Sequence, residues 1–404
     1  MNTIDNLKNI SGKKILVRVD FNVPLKGSEV RDDNRVVAAL PTIKKLLSEG
    51  AALVLMSHLG KIKWGKVDDA EIAKEKEKNN MEYVYPVLAK HLEGVTVKFC
   101  KATSGNELKE AIAALKGGEV LLVQNTRYEK GESKNNPELS AEWASYVDGF
   151  VMDAFGSAHR AHASTYGVPE ILKKEGKPCA LGYLMEKEVK NLGACVKGDV
   201  HPYIAILGGF KVSDKIKVID SLLKKCDKIL IGGAMAYTFL KALGNSIGNC
   251  PCEDDQLEYA KKCYESGKIL LPVDNVIADG FDNYHEENIK TIPDNNFPAG
   301  FQGLDIGPKT VELYKNEIAK AKLIFWNGPM GVFEDEHFQK GTVEVCKAIT
   351  ENKEAFSVIG GGDSAAAAKQ FGYASKFSHV STGGGASLEM IENDGHLPGI
   401  DVIG

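Results

Sequence analysis

Ten short runs of Val, Ile and Leu, separated by stretches with helical periodicity, constrain this chain more than any other feature. The first half contains KILVRV (14–19), ALVLM (52–56), VTVKF (95–99), EVLLVQ (119–124) and GFVMD (149–153). After residue 200 come YIAIL (203–207), KILI (228–231), KILLP (268–272), LIFWN (323–327) and FSVI (356–359). A strand that is apolar on both faces must be covered on both faces, as in parallel sheets flanked by helices. Helical patterns at 34–49, 106–116 and 254–266 supply such cover. Two sets of about five strands in 404 residues predict an α/β chain of two doubly wound, Rossmann-like domains with parallel sheets. The pattern LMEKEVKNLGACV (184–196) predicts an interdomain helix, so the division falls between 1–182 and 183–389. The charge-dense stretch KVDDAEIAKEKEKNN (66–80) reads as a solvated or mobile surface excursion rather than a functional one.

Composition removes several classes of partner. A net charge of −5 gives no electrostatic reason to expect nucleic acid or an acidic membrane. No apolar run approaches the ~18–20 residues of a membrane span. MNTIDNLKNISGKK carries no signal-peptide core, so a cytoplasmic protein is expected. Among eight cysteines only Cys250 and Cys252 stand close together, which predicts reduced, mostly buried thiols.

Of fifty basic residues only Arg18, Arg31, Arg35, Arg127 and Arg160 are arginine. Ligands of doubly wound domains bind at the carboxyl ends of the strands. In the first half those ends carry Arg18, Asp20 and Asn22, then Ser57 to Lys61, then Asn125 to Arg127, then Asp153 to His162, with Arg35 opening the first helix. Four of the five arginines thus fall at strand exits or beside one, and Arg31 is the exception. A planar fork grips carboxylate or phosphate with two bonds, so arginines around His58 suit a small, multiply charged anion. His159 and His162 have the look of a metal pair. Arg160 between them, and no carboxylate or thiolate at ligand spacing, favour one histidine near an anion and one structural.

In the second half the strand exits carry glycine instead: Gly208-Gly209, Gly232-Gly233, Gly360 to Gly362 and Gly383 to Gly385. Glycine lets the backbone approach closely, and N–H groups at a helix start hold phosphate oxygens. In VIGGGDSAAAAK (358–369) the alanines supply the helix, and Asp363 stands where a Mg²⁺ riding on phosphates needs a carboxylate. Asp363 also reads as a simple helix N-cap.

The strings RVDFNVP (18–24), SHLG (57–60), DAFGSAHRAHAS (153–164), GGFKVSDK (208–215), WNGPMGVFE (326–334), GGGDS (360–364) and HVSTGGGASLE (379–389) together resemble the phosphoglycerate kinase family, in family order along nearly the whole chain. The resemblance implies in-line phosphoryl transfer between 1,3-bisphosphoglycerate and MgADP, giving 3-phosphoglycerate and MgATP, on domain closure. It implies that Asp20, Phe21, Asn22, Arg35, His58, Leu59, Gly60, Lys61, Arg127 and Arg160 hold the phosphoglycerate. Lys215, Gly303, Glu334, Gly361, Gly362, Asp363 and Ser364 would hold ADP or ATP, with Asp363 on Mg²⁺. Arg35 and Lys211 would act on the group in transit, and Gly383, Gly384 and Gly385 would form a further anion site or hinge. The segment 390–404 would return to the N-terminal domain, in a monomer with no nucleic-acid or membrane partner.

Five features depart from the family pattern. Lys61 stands where arginine is usual, a long charged stretch follows it, and Gln124 replaces a frequent glutamate. Ser364 for threonine and Ala234 for glycine are milder changes. Another two-domain carboxylate or sugar-phosphate kinase would share these parts. A nucleotide-regulated anion sensor would use them without transfer, and the paired Arg35 and Lys211 weigh against it.

Overall fold

Burial on both faces explains the apolar runs: Ile15 to Val19, Ala52 to Met56 and Gly149 to Asp153 are buried without interruption. The computed structural model describes residues 1–404. The chain divides into two units, Met1–Lys190 with His396–Gly404, and Asn191–Gly395. The helix Tyr183–Lys197 runs through the point of division.

In the first unit six parallel strands, β1 (Lys14–Val19), β2 (Ala52–Met56), β3 (Val97–Cys100), β4 (Val120–Val123), β5 (Gly149–Asp153) and β6 (Cys179–Leu181), lie in the order β3-β4-β2-β1-β5-β6. β1 is central, with Ile15 beside Leu53 on one side and Gly149 on the other. The last residues of the chain belong to this unit, Gly399 N donating to Ala158 O at 2.8 Å and Lys173 Nζ to Ile403 O at 2.8 Å. The second unit holds β7 (Tyr203–Leu207), β8 (Lys228–Ile231), β9 (Ile269–Leu270), β10 (Leu323–Asn327), β11 (Phe356–Ile359) and β12 (His379–Val380), in the order β9-β8-β7-β10-β11-β12, again all parallel. Its strand order reverses between β7 and β10, which places a crevice beyond Leu207 and Asn327.

Each sheet has one strand more than the apolar runs predict. β6 has three residues and β12 two, too short to register as runs. An antiparallel sheet of Asn275–Ala278, Lys290–Ile292 and Gln302–Ile306 was also hidden, because none of its strands has more than three apolar residues in succession. The stretch 66–80 needs a firmer correction, since it is neither solvated throughout nor irregular. Asp69–Lys78 is a helix whose N-cap Asp68 accepts from Glu71 N at 2.8 Å. Acidic residues fill its first turn and lysines its last, as the helix dipole favours, and Ile72 and Glu75 are buried. All eight cysteines are free thiols, and only Cys252 is not buried.

The glycines at the crevice do more than admit a ligand. A Cβ on Gly208 would lie 1.9 Å from Pro329 O, so the loops after β7 and β10 touch through bare backbone. Gly362, at the start of the helix Gly362–Gln370, has nothing within 4 Å of such an atom. We expect Gly208→Ala to lower stability by about 3 kcal/mol, the upper part of the overpacking range, because backbone cannot step aside. Gly362→Ala should stay within about 0.5 kcal/mol of the parent, as alanine is the better helix former. Urea unfolding midpoints of the two variants check the contrast.

Candidate functional site

Two constellations form, one at the strand ends of each unit. In the first, Arg18 leaves β1 fully buried, at 1% exposure. Its Nε donates to Ser164 Oγ at 2.8 Å, and that hydroxyl donates to Glu132 Oε2 at 2.7 Å. The buried carboxylate of Glu132 compensates the buried guanidinium, whose pKa desolvation lowers. The Arg18 NH2 group meets His58 Nδ1 at 3.0 Å. A guanidinium has only donors, so Nδ1 must accept and the imidazole proton must sit on Nε2. Burial, then Arg18, Arg127, Arg160 and Arg35, hold the His58 pKa well below its ordinary value. The imidazole is therefore neutral at physiological pH and offers an N–H to whatever the cations attract. Arg18 braces His58 from behind and, being buried, is not itself one of the forks facing solvent.

Around this pair the other predicted residues assemble. Arg35 NH1 holds Asp20 at 3.0 and 3.1 Å, which leaves Nε and NH2 for a ligand on a half-exposed side chain. Asn22 Oδ1 accepts from Gly60 N at 2.8 Å, and Gly60 O accepts from Arg127 NH1 at 2.7 Å. Burial and neighbouring arginines bring the Arg127 pKa down to about 10, still charged at neutral pH. Arg160 is exposed. Phe21 and Leu59 are buried, and they contribute main chain: Phe21 N donates to Ser57 Oγ at 2.9 Å, Leu59 N to Asn125 Oδ1 at 3.1 Å. Lys61 is exposed and lines a cavity of about 460 Å³ with Arg127, Arg160 and His162. Burial lowers the pKa of both His159 and His162 to about 4. His162 faces that cationic cavity, whereas His159 has a buried Nδ1 with no partner. Arg31 lies apart, exposed on the hairpin formed by Leu25–Lys26 and Glu29–Val30.

In the second unit a pocket opens between Tyr237, Pro251 and Leu304 on its apolar side and Glu334 and Asp363 at its polar rim. Gly303 lies beneath Tyr237, where a Cβ would fall 2.2 Å from the hydroxyl. Lys215 passes under Gly209 and donates to Asn327 Oδ1. Desolvation lowers its pKa to about 8, with Asp214 and Asp363 opposing the shift. Lys211 is exposed, and its charge is felt by Glu253.

The helix Gly362–Gln370 is capped by Gly361, whose φ of 126° suits glycine alone. Asp363 is thus in the first turn and is not the N-cap, which corrects that simpler reading. Its carboxylate is exposed at the pocket. Ser364 is fully buried, its Oγ accepting from Gly328 N at 2.5 Å, so it braces the loop after β10. The residues Gly383, Gly384 and Gly385 open a second helix, Gly384–Glu392, with Gly383 as N-cap. A Cβ on Gly384 would come within 3.3 Å of Gly361 Cα, so the two helix starts lie side by side.

Sequence reasoning missed the supports. Glu132 lies outside every string singled out in the sequence, while Ser164, Asn125 and Asn327 lie within such strings or at a strand exit without an assigned role, and their hydrogen bonds reveal the bracing. The exposed aromatic rings of Phe210 and Phe281 at the pocket were also missed, since a lone phenylalanine in a loop carries no signal.

The family model for phosphoglycerate kinase matches residues 4–394. The phosphoglycerate kinase of Lactobacillus delbrueckii subsp. bulgaricus is 49% identical over 406 residues, covering 98% of this chain and 97% of the relative. That of Fusobacterium nucleatum subsp. nucleatum is 51% identical over 401 residues, again at 98% and 97% coverage. Among solved structures, phosphoglycerate kinase from Coxiella burnetii superposes with a TM-score of 0.85 at 35% identity, covering 99% of this chain and 98% of that one. The enzyme from Pyrococcus horikoshii OT3 gives 0.81 at 32% identity, covering 100% and 98%.

The Arg18 contact makes the state of His58 a measurable quantity. Nitrogen NMR of labelled imidazoles should find His58 as the neutral Nε2–H tautomer from about pH 8 down to about pH 5.5, across the range where an ordinary histidine titrates. A His58 signal that protonates near the ordinary value would contradict the arrangement.

Proposed function

The chain belongs to the phosphoglycerate kinase family, and from that premise we propose how its residues divide the work. The reaction is reversible phosphoryl transfer between 1,3-bisphosphoglycerate and ADP, giving 3-phosphoglycerate and ATP, with a carboxyl group as acceptor. In our reading Arg35, Arg127 and Arg160, with the Nε2–H of His58, hold the phosphoglycerate. Asp20, Asn22 and the main chain from His58 to Lys61 orient them. The observation that carries this is the convergence of four arginines on a neutral histidine in one unit, while the other offers bare amides and the exposed carboxylates of Glu334 and Asp363.

The acceptor carboxylate is already a nucleophile, so the protein has to supply position and charge neutralisation rather than a base. Arg35 keeps free donors at a half-exposed site, and Lys211 is the exposed cation of the nucleotide-binding segment. Both are suited to oxygens whose charge changes during transfer. The nucleoside lies over Gly303 with Glu334 toward the ribose, and the phosphates lie at the Gly361–Asp363 helix start with Lys215. Asp363 fits Mg²⁺, because an ion that arrives on a nucleotide needs only one or two protein carboxylates. When bound, that ion neutralises phosphate oxygens. The reading also makes the protein a cytoplasmic monomer whose partners are small molecules. No helix of the chain is long and apolar enough to cross a membrane.

A coupled assay tests the assignment. ATP-dependent turnover should occur with 3-phosphoglycerate, be absent with acetate or aspartate, and vanish when Mg²⁺ is chelated. Equal turnover of acetate would defeat the substrate reading. Arg35→Ala should cut kcat about 100-fold or more, as loss of one donor to developing charge does, with the Kd for ADP unchanged; parallel losses in both would refute the division of roles.

Lys215 supplies a pH dependence of definite sign. Its depressed pKa of about 8 means the free site loses the ammonium above that pH. Phosphate binding favours the charged form, so affinity for ADP is complete below about pH 8 and declines above it, by up to tenfold per pH unit. Calorimetry in buffers of different ionisation enthalpy should show proton uptake on binding near pH 8.5, absent in Lys215→Met.

A further inference from the structure

Three of the departures from the family pattern, Lys61, the charged stretch and Gln124, meet in one place. Gln124 Oε1 accepts from Met81 N at 2.8 Å, and Nε2 donates to Asn80 Oδ1 at 2.7 Å. A glutamate at 124 would set acceptor against acceptor at Asn80. The buried Glu75 accepts from Lys63 N at 2.7 Å, and Asn79 Nδ2 donates to Lys61 O at 3.3 Å. The last turn of the helix Asp69–Lys78 and its C-cap Asn79 therefore hold the start of the loop that follows His58 to Gly60.

At the middle of that loop stands Trp64, whose Nε1 donates to the main-chain oxygen of Arg127 at 2.8 Å. Lys76 Nζ lies 5.0 Å from the Trp64 ring and 5.3 Å from that of Tyr128, in reach of both π faces. The Tyr128 hydroxyl donates to Lys76 O. Arg127 itself occupies a single 3₁₀ turn, Thr126–Tyr128, too short to satisfy its own carbonyls. Its N donates to Asn125 Oδ1 at 3.0 Å and its NH1 to Gly60 O at 2.7 Å. The Trp64 bond to its carbonyl is the third point of attachment.

We propose that Trp64 is a positioning residue for Arg127, and that the charged segment 61–80 is a clamp that aims this fork at the acid. The inference rests on the reading of Arg127 as a phosphoglycerate-binding residue. Lysine at 61 neutralises charge from any angle but cannot grip with two parallel bonds. The angular part of recognition on this side of the site then falls to Arg127 and Arg160. A fork loses its advantage when its base can swing, so the chain holds the Arg127 base with an indole N–H and a cation between two aromatic rings. The segment that composition marks as a solvated excursion is, on this account, part of the acid site's framework.

Trp64→Phe removes the N–H while keeping an aromatic face for Lys76. The Kd for 3-phosphoglycerate, measured by calorimetry without nucleotide, should rise about fivefold, which is what one net hydrogen bond contributes. The Kd for ADP should not change, and the thermal midpoint should stay within about 2 °C of the parent. In an Arg127→Ala background the same change should add nothing, since the two residues act as a unit. Tyr128→Phe, which cuts the other end of the clamp, should repeat the pattern at smaller amplitude and serves if Trp64→Phe does not fold. A lowered midpoint with 3-phosphoglycerate affinity intact, or a fivefold effect that persists without Arg127, overturns the clamp. If Arg127→Ala alone leaves 3-phosphoglycerate binding intact, the reading of Arg127 has failed and the clamp falls with it.

Discussion

Sheets buried on both faces leave a protein one place for polar chemistry, the edge where its strands end. In each unit the central strands of the parallel sheet are buried, so a polar side chain projecting from their interiors needs a buried partner. The carboxyl-terminal ends remain, and there Arg18, His58 and Arg127 gather in one unit and Gly208, Asn327 and Gly361 in the other. The reversal of strand order between β7 and β10 then opens the crevice that glycine-rich loops line.

At the first site, repulsion among cations is the problem to be solved. Four arginines around one histidine are tolerable because the histidine is neutral, one arginine is tied to Glu132 through Ser164, and another to Asp20. The remaining repulsion shows at Arg127, whose pKa burial and then Arg160 and Arg18 lower, and on the proposed reading a multiply charged acid would relieve it. At the second site the positive potential comes from backbone. Two helix starts lie side by side, and desolvation lowers the pKa of Lys215 beside them to about 8.

Much of this was legible in residue order. Runs apolar on both faces require parallel sheets, and scarce arginines at strand exits are informative because chance would scatter them over helix surfaces. Other elements were not legible, for identifiable reasons. β12 pairs through two residues, and its existence depends on the neighbouring β11. Glu132 carries no local signal and the role of Ser164 is not local either, since Ser164 touches Arg18 across a separation of 146 residues and Glu132 reaches it through that hydroxyl. The charged stretch 66–80 was misleading because composition reports how many charges a helix has and not which of its faces is covered. One buried isoleucine, one buried glutamate and a cap decide that helix.

By itself the order of residues determined two doubly wound sheets, the ends at which chemistry must sit, and the sign of charge at each. Periodicity and composition are local properties that survive without coordinates. Tertiary structure alone decided that Arg18 faces a histidine and not a ligand, that Asp363 lies inside a helix capped by glycine, and that a tryptophan at position 64 reaches the carbonyl of an arginine 63 residues away. Those outcomes depend on which distant segments are packed together, and a linear pattern contains no distances.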